Sequence, residues 1–322
     1  MEKYLTRLRP ATNRLFKKHR FLSISMVVVL LGAGCTHNIF VKNHQSPLDS
    51  VVSSTINLSA LKVGVLPTQS RTEQERMIKP LDEYLEKSLG RQVDFQIAQS
   101  YEEVVDWLVK GKLDLAYLGP VTYLEAVDKG AKIEPLVAPI DKHTGQPWYR
   151  SCIIVQANSS IKSIKDLKGK RVAFVHKSST SGYLMAAATF KNLEINPRED
   201  FSQILFTGSH SKSIEALANG TVDAAVTNVS SYLKSQKQGR VTAQNSRIIW
   251  ESAPIPHSPI VISQKLSPEL ILQFKRAFIS SPDGIEDIVG TESAGYTLII
   301  PADYAPIQKL RQELNLIATS AK

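Results

Sequence analysis

The chain has 322 residues, of which 43% are hydrophobic, 39 are Lys or Arg, 30 are Asp or Glu and two are Cys. This composition excludes a disordered polypeptide, which has too few apolar side chains to form a core, and a disulfide scaffold, which needs many more cysteines. Nucleic-acid binding is not expected, because +6 of the net charge of +9 lies in residues 1–34 and no basic stripe with interleaved aromatic residues follows.

Residues 1–34 have the parts of a signal peptide. A basic stretch (1–20) is followed by an uncharged apolar stretch (21–31, FLSISMVVVLL) and by the small residues GAG directly before Cys35. The apolar stretch is too short to span a bilayer as a helix, which needs about 20 residues. The small residues before Cys35 resemble a bacterial lipobox, in which the Cys becomes the lipidated first residue of the mature protein. A signal cut elsewhere and an uncleaved anchor with a chance Cys are the alternatives.

Residues 35–59 are rich in Ser, Thr and Asn and show no helical or alternating pattern, so they are predicted to be a flexible tether after the lipidated Cys35. If Cys35 carries lipid, Cys152 has no disulfide partner. Its apolar neighbours predict that Cys152 is a buried strand residue and not a nucleophile.

From residue 61 onwards, strand patterns and helix patterns alternate along the chain. In the first half, strands are predicted at 61–66, 93–97 and 113–118, and helices at 72–89, 101–110 and 120–127. The second half repeats this order, with strands at 171–175, 204–206 and 222–226 and helices at 182–194, 211–219 and 229–237. Further strands are predicted at 150–156, 246–251 and within PIPHSPIVIS (254–263), and further helices at 267–280, about 283–289 and about 303–317.

This alternation predicts an α/β protein of two lobes in series, each with a mixed, mostly parallel sheet flanked by helices. The segments 150–156 and 246–251 are candidate crossings between the lobes. The first lobe would then consist of 60–150 and of the return segment 251–322, and the second lobe of 151–250. Two crossings between two lobes are typical of a hinge-bending clamp.

In open α/β sheets, ligands bind beyond the carboxyl ends of strands, at the N-termini of helices. Four turns of this kind are rich in hydrogen-bond donors. The richest is 178–182 (SSTSG), which contains four hydroxyl residues in a row. Capping of the following helix would account for one hydroxyl but not for four. Neutral donors beside a helix N-terminus predict a site for a small oxyanion. The candidate residues in the four turns are Ser178, Ser179, Thr180 and Ser181, then His210, Tyr123 and Gln69.

Three segments carry a resemblance to a known family. They are DLAYLGPVTYLEA (114–126), SIKDLKGKRVAFVHKSSTSGYLMA (163–186) and DFSQILFTGSHSKSIEALANGTVDAAV (200–226). The chain resembles the phosphate-, phosphite- and phosphonate-binding proteins of ABC transporters, the periplasmic phosphonate-binding family. The resemblance implies a type II periplasmic-binding-protein fold with the ligand cleft between its lobes, and delivery of the ligand to a permease with its ATPase.

The resemblance also implies roles for individual residues. Ser179, Thr180 and Ser181 would hold the oxygens of the phosphorus group, His210 would donate to the same group, and Tyr123 would close the site from the opposite lobe. Members that bind aminophosphonates have an acidic side chain shortly after a VDAA-like strand, whereas residues 227–231 (TNVSS) contain none. This difference favours phosphate, phosphite or a small alkylphosphonate.

Two other functions stay open at this point. A surface-anchored sensor or accessory protein could use the same clamp, and an enzyme could act on a phospho-compound. Against the enzyme, the chain has no HExxH, GxSxG, Walker or CxxC motif. Asp114 and Asp223 each begin a strand after a similar turn (GKLD and GTVD), which predicts a repeated structural role. We expect no cofactor and no metal, and an exported monomer held at the membrane by lipid on Cys35.

Overall fold

The computed structural model describes residues 59–142, 144–282, 285 and 293–315. The predicted signal peptide, Cys35 and nearly all of the tether lie outside these residues, as does most of the helix predicted at about 283–289. Among the residues described, no helix has the length and apolar character needed to cross a membrane.

Strands and helices alternate as the sequence predicts. The strands are β1 (Leu61–Val65), β2 (Val93–Ile97), β3 (Leu115–Tyr117), β4 (Ile133–Asp141), β5 (Trp148–Tyr149), β6 (Ser151–Gln156), β7 (Arg171–Phe174), β8 (Gln203–Phe206), β9 (Ala224–Asn228), β10 (Ser246–Glu251), β11 (Ile255–Pro256), β12 (Ile260–Ser263) and β13 (Ser293–Leu298). The helices are α1 (Arg71–Leu89), α2 (Tyr101–Val109), α3 (Pro120–Asp128), α4 (Met185–Asn192), α5 (Pro197–Asp200), α6 (His210–Ala218), α7 (Val229–Lys237), α8 (Pro268–Ile279) and α9 (Ala305–Glu313).

The described strands form two larger sheets, which are the centres of the two lobes. One has the order β13-β4-β12-β3-β1-β2 and the other β10-β6-β9-β7-β8. In the first sheet β1 pairs in parallel with β2 and β3, whereas β12 and β4 make antiparallel pairs. In the second, β7 pairs in parallel with β8 and β9, and β6 is antiparallel to β9 and β10. The sheets are mixed, as predicted, but parallel pairs are not the majority, because the strands that enter after a crossing run in the opposite direction.

Strand β4 is absent from the prediction because Pro135 and Pro139 interrupt its apolar pattern. A proline has no N–H for the ladder and is tolerated where the ladder is irregular. The pairing of β12 with β4 shifts register between Ile260 and Val261, opposite Pro135, and the pairing of β13 shifts beside Pro139. Irregular pairing therefore allows a proline-containing segment to lie inside the sheet.

The chain passes between the two sheets through a short antiparallel ribbon. Strand β5 immediately precedes β6, strand β11 follows β10, and the two pair through Ile255 with Tyr149 and Pro256 with Trp148. We name this pair the crossing ribbon. It holds the first residues of β6 and β12 next to the carboxyl ends of β9 and β3.

Asp114 and Asp223 have the same structural role in the two lobes. The Asp114 carboxylate accepts the backbone N–H of Lys62 in β1 at 2.9 Å, and the Asp223 carboxylate accepts that of Arg171 in β7 at 2.8 Å. The predicted repeated role is confirmed. Cys152, in β6, is completely buried as predicted, and burial raises the pKa of its thiol.

Candidate functional site

A small cavity lies between the carboxyl ends of the parallel strands of both sheets. Its volume is about 30 Å³, a little more than one or two water molecules require. Ten of the twelve described residues that line it carry a hydroxyl, imidazole or amide group, and none of the twelve is Lys, Arg, Asp or Glu. The lining residues are Leu66, Thr68, Tyr101, Gly119, Tyr149, Ser179, Thr180, Ser181, His210, Asn228, His257 and Ser258.

The 178–182 turn forms one wall of this cavity. Ser179 caps a π-helical turn (Thr180–Leu184) that continues into α4, and its Oγ accepts the N–H of Gly182 at 3.0 Å. A Cβ added to Gly182 would lie 2.4 Å from Val175, so this turn can close only with glycine. The hydroxyls of Ser179, Thr180 and Ser181 are thereby held on one side of the cavity, where a helix begins.

The two lobes are joined across the cavity by hydrogen bonds. Thr180 Oγ1 accepts the backbone N–H of Val121, in the other lobe, at 2.9 Å. The backbone N–H of His210 donates to the carbonyl of Thr68 at 3.0 Å. Since each bond joins residues carried by different sheets, the cleft is closed over the cavity in this structure.

Five helix N-termini converge on the cavity. Gly119 is the N-cap of α3, Ser179 caps the turn that leads into α4, Asn228 is the N-cap of α7, and Tyr101 and His210 are the first residues of α2 and α6. All five residues line the cavity. Each N-terminus contributes partial positive charge and N–H groups that the helix itself does not use. The cavity is therefore electropositive although no cationic side chain lines it among the described residues.

Two buried histidines face the cavity from opposite lobes. Burial lowers the pKa of His210 to about 4, and it also lowers the pKa of His257 to about 4, although the nearby Asp141 carboxylate acts in the other direction. Both rings are therefore neutral at pH 7. His210 Nδ1 lies 3.0 Å from Thr227 Oγ1, and His257 Nδ1 accepts the N–H of Ser258 at 2.9 Å, which places the ring proton of His257 on Nε2.

The structure brings together four of the seven candidate residues. Ser179, Thr180, Ser181 and His210 line the cavity, whereas the side chains of the other three do not. Tyr123 packs edge-on against Tyr304, with ring centroids 5.2 Å apart. Gln69 Nε2 donates to Ser231 Oγ at 3.2 Å, and the Ser178 carbonyl accepts the hydroxyl of Thr122 at 3.1 Å. Gln69 and Ser178 therefore contact the opposite lobe beside the cavity.

Several lining residues were not among the candidates. Tyr101 begins α2 after β2, so the rule applied to the other strand-to-helix turns would have found it. Its hydroxyl is hydrogen-bonded to Ser179, and its ring stacks on His176 with centroids 4.7 Å apart. Tyr149 and His257 follow no such rule, because they lie in or beside the crossing ribbon, and no local pattern points to them.

The described residues contain no group of three or more His, Cys, Asp or Glu side chains that is placed to bind a metal ion. The described residues that line the cavity present neutral polar groups and helix N-termini. Such a wall can hold an anion by hydrogen bonds and dipoles, and it selects by the number and direction of the oxygens.

The sequence is similar to that of a known protein family. A family model described as ABC transporter, phosphonate, periplasmic substrate-binding protein matches residues 63–305. The phosphate-import protein PhnD of Mycolicibacterium smegmatis is 31% identical over 268 residues, which are 81% of this chain and 81% of that protein. The phosphonates-binding periplasmic protein of Escherichia coli is 30% identical over 215 residues, which are 65% of this chain and 62% of that protein.

Solved structures show the same fold. PhnD1 from Prochlorococcus marinus, in complex with methylphosphonate, superposes with a TM-score of 0.72 at 21% identity, over 80% of this chain and 99% of that chain. A binding-protein component of an ABC phosphonate transporter from Pseudomonas aeruginosa gives a TM-score of 0.72 at 23% identity, over 81% of this chain and 90% of that chain. These likenesses confirm the predicted type II periplasmic-binding-protein fold.

Proposed function

Because the chain belongs to the family of periplasmic substrate-binding proteins of phosphonate ABC transporters, we propose that it captures a phosphorus oxyanion and delivers it to a permease. The ligand is phosphate, phosphite or a small phosphonate, and it is held by closure of two lobes. In this proposal the first lobe comprises 60–150 and 251–322, and the second 151–250.

The observation that carries the proposal is the convergence of five helix N-termini on a cavity lined by hydroxyl-bearing residues. Phosphorus oxyanions have three or four oxygens directed to the corners of a tetrahedron, so donors from several directions suit them. In the proposal, Ser179, Thr180 and Ser181 donate from one lobe. His210 donates from the same lobe, and Tyr101 and His257 complete the wall from the other.

The size and charge of the cavity narrow the ligand class. The cavity is small in this closed form, about 30 Å³, which disfavours a ligand with a bulky substituent. Residues 227–231, in the segment shortly after the VDAA-like strand where the aminophosphonate-binding members have an acid, contain no acidic side chain. In this segment Asn228 Oδ1 caps α7 by accepting the N–H of Ser231 at 2.7 Å. A neutral amide at this position offers no countercharge for an ammonium group, so we expect a ligand without a cation.

The proposal also assigns the parts outside the described residues. Lipid on Cys35 anchors the protein to a membrane on the periplasmic or cell-surface side, and the following tether lets the clamp reach its permease as a monomer. Its relatives are binding proteins of transporters. The two acidic residues that resemble catalytic carboxylates, Asp114 and Asp223, accept backbone N–H groups away from the cavity.

A thermal-shift screen of the purified protein tests the proposal. The anions are phosphate, phosphite, methylphosphonate, 2-aminoethylphosphonate and sulfate. A ligand at 100 times its Kd stabilises the folded state by about 2.7 kcal/mol, which raises the Tm by about 5–10 °C for a body of this size. We expect this increase with at least one phosphorus anion and a smaller one with 2-aminoethylphosphonate. Saturation by an amino acid or a sugar, with no response to any of these anions, would show that the assignment is wrong.

A further inference from the structure

Besides the contacts at the cavity, a separate group of side chains joins the lobes along α1 and α7. Glu73 and Met77 are four residues apart and lie on one face of α1, and Gln69 lies two residues before the helix begins. Gln69 contacts Ser231 in α7, and Lys234 Nζ lies 2.9 Å from Met77 Sδ. We name this group the α1–α7 seam; it comprises Gln69, Glu73, Met77, Ser231, Lys234, Gln238 and Arg240.

Glu73 is the centre of the seam. Its carboxylate accepts a hydrogen bond from Gln238 Nε2 at 2.7 Å and lies 3.4 Å from Lys234 Nζ and 3.0 Å from Arg240 Nη2. The Glu73 side chain is only 5% exposed. Burial raises the pKa of Glu73, but the hydrogen bond from Gln238 and the charges of Lys234 and Arg240 outweigh burial, so the pKa lies below its ordinary value.

The partners of Glu73 belong to the other lobe. Helix α1 packs against β2 of the six-stranded sheet, whereas α7 follows β9 of the five-stranded sheet. When the lobes separate, Glu73 exchanges these partners for water. In the closed form, a buried charge that loses its partner is strongly destabilised, whereas in the open form the same charge is solvated and is not. Loss of the Glu73 charge should therefore destabilise the closed form more than the open form.

The seam does not touch the ligand cavity but is mechanically linked to it. None of its residues, all of which are described, lines the cavity. Helix α7, however, begins at Asn228, which does line the cavity and whose amide nitrogen lies 3.4 Å from the His210 ring. Helix α7 thus begins at a wall of the cavity and carries Lys234 further along, and Gln238 and Arg240 follow directly after its end.

We propose that Glu73 is a positioning residue that keeps the clamp closed and thereby sets the rate at which the ligand is released. Glu73 acts through Lys234, Gln238 and Arg240 and not through the ligand. This role rests on the proposed function in one respect, namely that the bound anion leaves when the lobes open.

The test compares Glu73→Gln with Glu75→Gln. Both substitutions remove one negative charge from the same turn of α1, but the Glu75 side chain is 55% exposed and pairs with Arg71 within the helix. Stopped-flow tryptophan fluorescence, to which Trp148 in the crossing ribbon contributes, measures association and dissociation of inorganic phosphate and methylphosphonate. Small-angle scattering measures the radius of gyration of each ligand-free protein.

We expect Glu73→Gln to speed dissociation roughly 30-fold, the lower end of the effect of removing one member of a buried charge pair. Association should change by less than about threefold, and Glu75→Gln should match the unmodified protein. Arg240→Gln should speed dissociation less, and the double variant should not add the two effects, because both changes break one contact.

Several results would overturn the proposal. One is equal dissociation from Glu73→Gln and Glu75→Gln. Another is a loss of affinity that lies entirely in the association rate.

If neither anion binds, the proposed ligand class fails, and scattering then decides the role of Glu73 alone. A larger ligand-free radius for Glu73→Gln than for Glu75→Gln supports it, and equal radii refute it. If Glu73→Gln fails to fold, Arg240→Gln is compared with Glu75→Gln by the same criteria.

Discussion

The Thr180 hydroxyl gives the sharpest test of the binding site, because it has two functions in the closed form. Its Oγ1 accepts the buried N–H of Val121 across the cleft at 2.9 Å, and its proton can be donated to an oxygen of the ligand. The substitution Thr180→Val has nearly the same shape but removes both interactions. Because Val121 and Thr180 belong to different lobes, the substitution leaves the Val121 N–H without this acceptor only in the closed form.

The magnitude follows from these two losses. A buried donor left unsatisfied costs about 1–3 kcal/mol, and a hydrogen bond to a charged group contributes about 1.5–3 kcal/mol. Since both losses occur at one atom, they are not fully additive, and we expect binding to weaken by about 2–4 kcal/mol. This corresponds to a Kd roughly 30- to 1000-fold higher.

Isothermal titration with inorganic phosphate and methylphosphonate measures the change. Thr180→Ser is the matched control, because it keeps the hydroxyl and loses only a methyl group. We expect its Kd to stay within about tenfold of the unmodified protein. If the Val and Ser variants bind equally well, the hydroxyl neither holds the ligand nor closes the cleft, and the derivation of the site from residues 178–182 is refuted.

Two further predictions concern packing and pH. Gly182→Ala places a methyl group 2.4 Å from Val175, so it should destabilise the protein by about 1–3 kcal/mol in denaturant unfolding and also weaken anion binding; an unchanged midpoint and Kd would contradict the tight turn. Burial lowers the pKa of His210 and His257 to about 4, so between pH 6.5 and 4 the unfolded chain binds more protons than the folded one. The free energy of unfolding should therefore fall on acidification by about 2–3 kcal/mol per histidine, and His210→Gln should remove its share; a pH-independent free energy over this range would contradict the burial of neutral rings.

Local sequence was sufficient for much of the fold and for the centre of the site. The alternation of strands and helices predicts the order of most elements, because each burial pattern reflects which face of an element meets the core. The run of hydroxyls at 178–182 identifies one wall of the cavity. The similar turns before Asp114 and Asp223 predict a repeated role, although the backbone N–H that each accepts belongs to a neighbouring strand 52 residues earlier.

Contacts between distant segments could not be read in this way. Tyr149 and His257 reach the cavity because β6 and β12 run antiparallel to β9 and β3, so the residues before them lie at the carboxyl ends of those strands. Strand direction after a crossing depends on how the sheets assemble, not on the residues within the strand.

The choice between two tyrosines has a similar origin. Tyr123 and Tyr101 both lie near the start of a helix that follows a strand, and the sequence analysis favoured Tyr123. Packing decides between them, because the Tyr123 ring packs against Tyr304 from the return segment, whereas Tyr101 faces Ser179. Sequence therefore determined which elements form and where donors concentrate. Only the tertiary structure determined which side chains share the cavity and how α1 meets α7, because both depend on long-range packing.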